Sequence, residues 1–134
     1  MKVLLQVFLI VLLSFVGGVA STYFHSEASR FVASSIELNL DEVDGFEQVF
    51  WVDARTNEDF EAGHLEGAIL LNEEYWEEGF MGFMMSWMPE VPVVVYCSSR
   101  SCARSHEVAR RLREELGVDN VYALKGGWEV LEGR

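Results

Sequence analysis

The chain has 134 residues, enough for one domain and a short appendage but not for two domains. Half of its residues are apolar and 24% are charged, which excludes a disordered body. With 22 acidic and 10 basic residues the net charge is −12, which opposes duplex binding and repels anionic headgroups.

The elements are read in chain order. Val3 to Ala20 carries no charge, and a helix over it would reach about 27 Å, just short of a hydrocarbon core. Lys2 precedes it, which orients that end toward the cytoplasm. Residues 1–21 are therefore expected to be an uncleaved transmembrane anchor, with a signal peptide cleaved after Ala20 or Ser21 as the rival. Both place the remainder in the periplasm or exterior, anchored or exported. Residues 22–35 read as a linker, and residues 36–134 as the folded domain.

Ile36 to Leu40 alternates apolar and polar, as a short edge strand does. Asp41 to Phe46 runs into a Gly turn. Val49 to Val52 reads as a buried strand. Thr56 to Ala62 suits a short helix capped by Thr56 and ended by Gly63. Ala68 to Leu71 is another short strand. Glu73 to Met88 is rich in Trp, Phe and Met, as a helix packed on the sheet is. A second reading of Tyr75–Met88 is an apolar lip or a docking surface for a membrane-protein partner. Pro89 and Pro92 break the chain after it.

Val93 to Tyr96 is the clearest central strand and leads straight into Cys97. Ala103 to Leu116 reads as a helix stopped by Gly117, and Val121 to Leu124 as a last strand before Gly126, Gly127 and Trp128. Strands alternating with helices predict an α/β fold, a largely parallel central sheet flanked by helices.

Ligands of open α/β sheets sit beyond the carboxyl ends of the strands, where this reading puts Cys97. Ser98, Ser99, Arg100, Ser101, Cys102, Ala103 and Arg104 form the following loop and helix start. A loop curled over a helix N-terminus presents N–H groups to one point and favours a thiolate, and nearby arginines push the same way. Such a thiolate attacks sulfur, and the persulfide anion is held by the same donors. The plain alternative is a cysteine that acts only as a small hydrophobe. Cys102 is either a resolving thiol for Cys97 or a helix-start residue packed inward. Five arginines, Arg100, Arg104, Arg110, Arg111 and Arg113, fall within fourteen positions. They read either as an anion-attracting patch or as a solvated helix face. The two cysteines fit neither a Cys-x-x-Cys redox motif nor a four-ligand zinc site, and His25 and His106 show no metal-ligand pattern.

The segment from Trp51 to Ile69, Trp-Val-Asp-Ala-Arg-Thr-Asn-Glu-Asp-Phe-Glu-Ala-Gly-His-Leu-Glu-Gly-Ala-Ile, resembles the Asp-x-Arg to Gly-His-Ile-x-Gly-Ala motif of the rhodanese-like domain family. Val94-Val-Tyr-Cys97 is similar to that family's active-site strand, and Gly126-Gly-Trp128 to its closing motif. The resemblance covers about Ile36 to the C-terminus. It implies a small α/β domain and a thiosulfate or persulfide sulfurtransferase that carries sulfur from a small donor to a thiol acceptor through Cys97. No cofactor, no metal and no nucleic acid are implied. Asp53 and Arg55 are expected to pair near the loop. His64 belongs to a scaffold turn in the family, Gly126 and Gly127 shape the closing turn, and Trp128 is a core or pocket wall. One departure is plain: the family's single-domain loop has arginine five positions after the cysteine, where this chain has Cys102, with Arg104-Ser105 two residues on. The family's phosphatases and arsenate reductases carry an arginine where this chain has Ala103, which disfavours oxyanion hydrolysis. Two rivals to the enzyme remain: a non-catalytic binding module at the membrane, and a thiol redox protein using Cys97 and Cys102.

Overall fold

The computed structural model describes residues 1, 6–7, 36–98 and 103–132. The expected anchor or signal over residues 1–21 and the linker 22–35 lie outside the described residues, apart from Met1, Gln6 and Val7. Among the described residues, no helix is long and apolar enough to cross a membrane. Contacts divide the chain into Met1–Ser35 and Ile36–Arg134, and the second unit is the subject here.

Five strands, β1 (Glu37–Leu38), β2 (Phe50–Asp53), β3 (Ile69–Leu70), β4 (Val93–Tyr96) and β5 (Val121–Leu124), form one sheet in the order β1-β5-β4-β2-β3. All pairs are parallel, with Val52 beside both Ile69 and Val95, and Val95 beside Ala123. Every crossover therefore returns through a helix or loop, as parallel pairing requires. The helices are α1 (Leu40–Val43), α2 (Asn57–Ala62), α3 (Trp76–Ser86) and α4 (Ala103–Leu116), and a 3-10 turn spans Gly127–Val130.

β4 is buried along its whole length, so its alternation sorts the core into two halves. Val93 and Val95 face a cluster with Val52, Leu71, Trp76, Phe83, Val108 and Leu112, beneath α3 and α4. Val94 and Tyr96 face Val43, Leu124 and Leu131, with Trp51 and Trp128 at the margin. Cys97 keeps the same parity and joins the α3/α4 side.

The edges depart from the sequence reading for local reasons. β1 is only two residues long because the Glu42 carboxylate takes the Asn39 N–H at 2.8 Å and starts α1 where a turn is expected. β2 begins at Phe50 and extends to Asp53, whose partner is Tyr96. α3 starts three residues later than expected because Asn72 Oδ1 accepts the N–H groups of Glu74 and Tyr75, each at 3.0 Å. Thr56 caps α2 as expected, with Oγ1 accepting the Asp59 N–H at 3.2 Å. Gly63 ends that helix in an extended rather than a left-handed conformation.

α3 packs tightly against β3 through Gly79. A Cβ there would lie 2.7 Å from the Leu70 carbonyl oxygen and 3.0 Å from Leu71 Cδ1. Around this contact Trp76, Phe80, Phe83 and Trp87 stack in series, with centroids 5.3–6.2 Å apart. The outer side of the same helix exposes Tyr75, Met81, Met84 and Met85, with Met88 just beyond its end. The aromatic half of the segment is thus core, and the methionine half is surface.

Arg55 joins four parts of the chain at the carboxyl edge of the sheet. Its guanidinium donates to Asp53 through Nε (3.0 and 3.1 Å) and Nη2 (2.7 Å). Nη2 also donates to the Gly63 carbonyl at 2.6 Å, after α2. The Arg55 carbonyl accepts from Asn72 Nδ2 at 2.8 Å, after β3. The guanidinium carbon lies 4.2 Å from the Trp128 ring centroid and 5.5 Å from that of Tyr96. Burial pulls the Arg55 pKa down, but the hydrogen-bonded Asp53 carboxylate outweighs it, and the pKa stands above its ordinary value.

Replacing Arg55 by Ala leaves a fully buried carboxylate unpaired and is expected to cost about 3–5 kcal/mol in urea unfolding. Arg55→Lys should recover only part of this, because an ammonium lacks the planar fork. Gly79→Ala should cost about 1–3 kcal/mol, since the new methyl meets backbone. Gly82→Ala on the open side of α3, where nothing lies within 4 Å of the added carbon, should gain about 0.5–1 kcal/mol by the same measurement.

Candidate functional site

The carboxyl ends of β2, β3 and β4 converge where the segments leading to α2, α3 and α4 begin. Cys97 follows β4 directly, and the Trp128 N–H donates to its carbonyl at 2.6 Å. The closing turn is therefore tied to Cys97 by its backbone. Gly126 (φ +95°) and Gly127 (φ +57°) make that turn, and a Cβ on Gly126 would lie 2.5 Å from Val130 Cγ1.

Cys97 is buried and takes part in a disulfide. The chain has one other cysteine, Cys102, which lies outside the described residues. The expected free thiolate is thus not the state seen here. Ser105 Oγ, in the first turn of α4, lies 3.6 Å from Cys97 Sγ. A disulfide sulfur carries no proton, so the hydroxyl is the donor of that pair.

Ser99, Arg100, Ser101 and Cys102 fall outside the described residues, and with them the expected ring of loop amides. Ser98 is exposed, and Ala103 and Arg104 are exposed at the start of α4. A cavity of about 230 Å³ opens beside this helix start, walled among the described residues by Arg55, Thr56, Asn72, Glu73, Glu74 and Arg104. Cys97 is not one of these walls. Asp53 and Arg55 pair as the sequence leads one to expect.

His64 contacts its own turn. Its ring stacks on Phe60 with centroids 3.8 Å apart, and Nδ1 lies 2.8 Å from the Phe60 carbonyl oxygen. It is exposed and braces the turn after α2. The arginines of α4 divide by their contacts. Arg110 pairs with Glu107 and Glu114, and Arg111 with Glu115, while Arg111 also covers the Trp76 ring at 3.9 Å. Arg113 donates to the Val121 carbonyl at 2.7 Å. Arg104 makes no ion pair among the described residues. Among the described residues, Arg55, paired with Asp53, and Arg104 are the cations that line the cavity.

Three supporting residues escape a reading of sequence alone. Tyr96 is buried between Trp51 and Trp128, accepts the Leu65 N–H at 3.3 Å, and has its phenol pKa raised by burial and by Asp53. Asn72 folds the β3–α3 connection, as a lone amide directly after an apolar strand can. Ser105 reaches the sulfur from the first turn of α4, whose start the sequence gives, but the contact with Cys97 does not show in the sequence.

Among solved structures the chain is similar to a protein of Bacillus halodurans, at 22% identity and a TM-score of 0.57, covering 84% of this chain and 81% of that one. It is also similar to a rhodanese-like domain protein of Staphylococcus aureus, at 22% identity and a TM-score of 0.55, covering 72% and 93%. A rhodanese-related protein of Thermoplasma volcanium matches at 19% identity with a TM-score of 0.54. These likenesses establish the fold. No curated protein matches the chain. The sequence pattern of the rhodanese-like domain matches residues 36–133, and the chain belongs to that family.

Proposed function

We propose that the domain is a sulfurtransferase that carries sulfane sulfur as a persulfide on Cys97. The observation that carries this reading is the position of Cys97 Sγ at the carboxyl edge of the sheet, 3.6 Å from Ser105 Oγ in the first turn of α4. The positive end of that helix favours an anionic sulfur there. Membership in the rhodanese-like family, which is generally associated with sulfur transfer, supports the same chemistry.

The cycle balances without an outside oxidant once Cys97 is a thiolate. Its electron pair attacks the sulfane sulfur of thiosulfate or of a small persulfide. The new bond joins Cys97 Sγ to that sulfur, and the donor leaves as sulfite or as a thiolate with the electrons of the broken bond. An acceptor thiolate then attacks the outer sulfur, becomes a persulfide itself, and returns Cys97 as thiolate. Arg104, exposed at the cavity wall, draws the anionic donor toward the edge.

A second reading has one observation in its favour: Cys97 stands in a disulfide. On that reading the domain exchanges electrons through Cys97 and Cys102. A sulfurtransferase must first be reduced, whereas a redox protein works by cycling between the two states.

After reduction, treatment with thiosulfate should add one sulfur mass to the peptide containing Cys97, read by intact-protein and peptide mass spectrometry. Protein with the disulfide closed should add none, and Cys97→Ser should neither load nor turn over. Turnover by Cys97→Ser at the native rate refutes the proposal. Arg104→Gln should lower kcat/KM for thiosulfate by about three- to tenfold at low ionic strength, with the gap closing as salt is raised. An unchanged kcat/KM at low salt removes the electrostatic role.

A further inference from the structure

The outer face of α3 carries the chain's least explained side chains. Met81, Met84 and Met85 are 68%, 48% and 82% exposed, although the helix already fills its core contacts with Trp76, Phe80 and Phe83. Their spacing of i, i+3 and i+4 puts them together as neighbours, with Cβ atoms about 5–6 Å apart. Each thioether sits on three rotatable bonds, so three sulfurs can turn to one point above the helix. Glu77 and Glu78 lie one turn earlier, at i−4 and i−3 from Met81, and both are exposed. The last turn of α3 has no basic residue, so the negative end of the helix is not offset by a cation from its own last turn. The neighbouring Gly82 leaves the space beside the methionines open, with nothing within 4 Å of an added carbon.

Each feature favours the same kind of guest. Thioethers are soft, uncharged donors that bind soft monovalent metal ions and bind hard ions such as Mg(II) and Ca(II) poorly. The carboxylates and the helix end add a negative field, which a cation prefers and an apolar surface does not require. We propose that Met81, Met84 and Met85 form a site for a soft monovalent cation, Cu(I) in chemical class, with Glu77 and Glu78 supplying the field. Met88 is outside it, because Trp87 leaves the helix in an extended conformation and turns the chain away. The site is on the far side of α3 from Cys97, and its failure would leave the sulfur-transfer reading untouched.

Ag(I), a redox-silent analogue of Cu(I), is the probe. The full chain, labelled at its methionine methyl carbons and oxidised until no thiol titrates, is followed by NMR as Ag(I) is added. Oxidation keeps thiolates from competing. Of the five methionine methyls, those of Met81, Met84 and Met85 should shift together and saturate at one equivalent, while Met1 and Met88 stay in place. M81L/M84L/M85L, which keeps the helix and its volume, should lose the one-equivalent step. E77Q/E78Q should weaken binding by about tenfold. A spectrum that does not move, or Met1 and Met88 shifting in parallel with the others, overturns the site. So does M81L/M84L/M85L binding Ag(I) as tightly as the unmodified chain. The unmodified chain alone can decide the question should the leucine variant fail to fold.

Discussion

The fold and its candidate site both depend on the buried pair of Asp53 and Arg55. A parallel sheet collects its connecting loops at one edge, and nothing in the sheet ladder fixes how those loops sit relative to each other. Here one guanidinium binds the end of β2 through Asp53 and the end of α2 through the Gly63 carbonyl, and it faces Trp128 of the closing turn. Its own carbonyl holds Asn72, which in turn bends the chain into α3. Taking both charges out of water is costly, and a well-packed apolar pair often stabilises as much. An apolar pair has no directional fork, however, and would leave the Gly63 carbonyl and the face of Trp128 without a partner. What the pair contributes is therefore placement: the cavity wall and the turn that holds the Cys97 carbonyl are set by the same side chain.

Charge separates the site from the rest of the surface. The chain is strongly acidic, and an anionic donor approaching it meets repulsion over most directions. The arginines of α4 do little to change this, because Arg110 and Arg111 spend their charge on glutamates one turn away. Arg104 has no such neighbour among the described residues and sits on the cavity wall. Among the described residues, a cluster that looks uniform in sequence thus resolves into Arg110 and Arg111 paired with glutamates, Arg113 held by a carbonyl, and Arg104 at the cavity.

Central elements were legible in the sequence, and marginal ones were not. Val93–Tyr96 and Val121–Leu124 match their expected bounds because an unbroken or alternating apolar run between turn residues has only one burial that satisfies both faces. Thr56 and Gly63 bracket α2 as expected, since capping is local chemistry. The edge strand and the short helix after it differ from the sequence reading because a two-residue pairing competes with an Asn39–Glu42 capping box, and one cap is worth about 1 kcal/mol. At the site, Asp53, Arg55 and Trp128 followed from motif and spacing. Tyr96, Asn72 and Ser105 did not, because their roles arise from how the strand ends come together: Tyr96 meets Leu65, Asn72 meets Arg55, and Ser105 is turned onto Cys97.

The state of Cys97 follows from strand parity. β4 sends Val93 and Val95 toward α3 and α4, and residue 97 inherits that direction. Its sulfur is therefore delivered to the apolar side of the sheet, beside Ser105, and not outward into water. A disulfide carries no charge and suits this setting without cost, whereas a thiolate or persulfide anion needs the helix end and the loop donors to replace lost water. The closed disulfide at this edge therefore fits the direction in which β4 delivers residue 97.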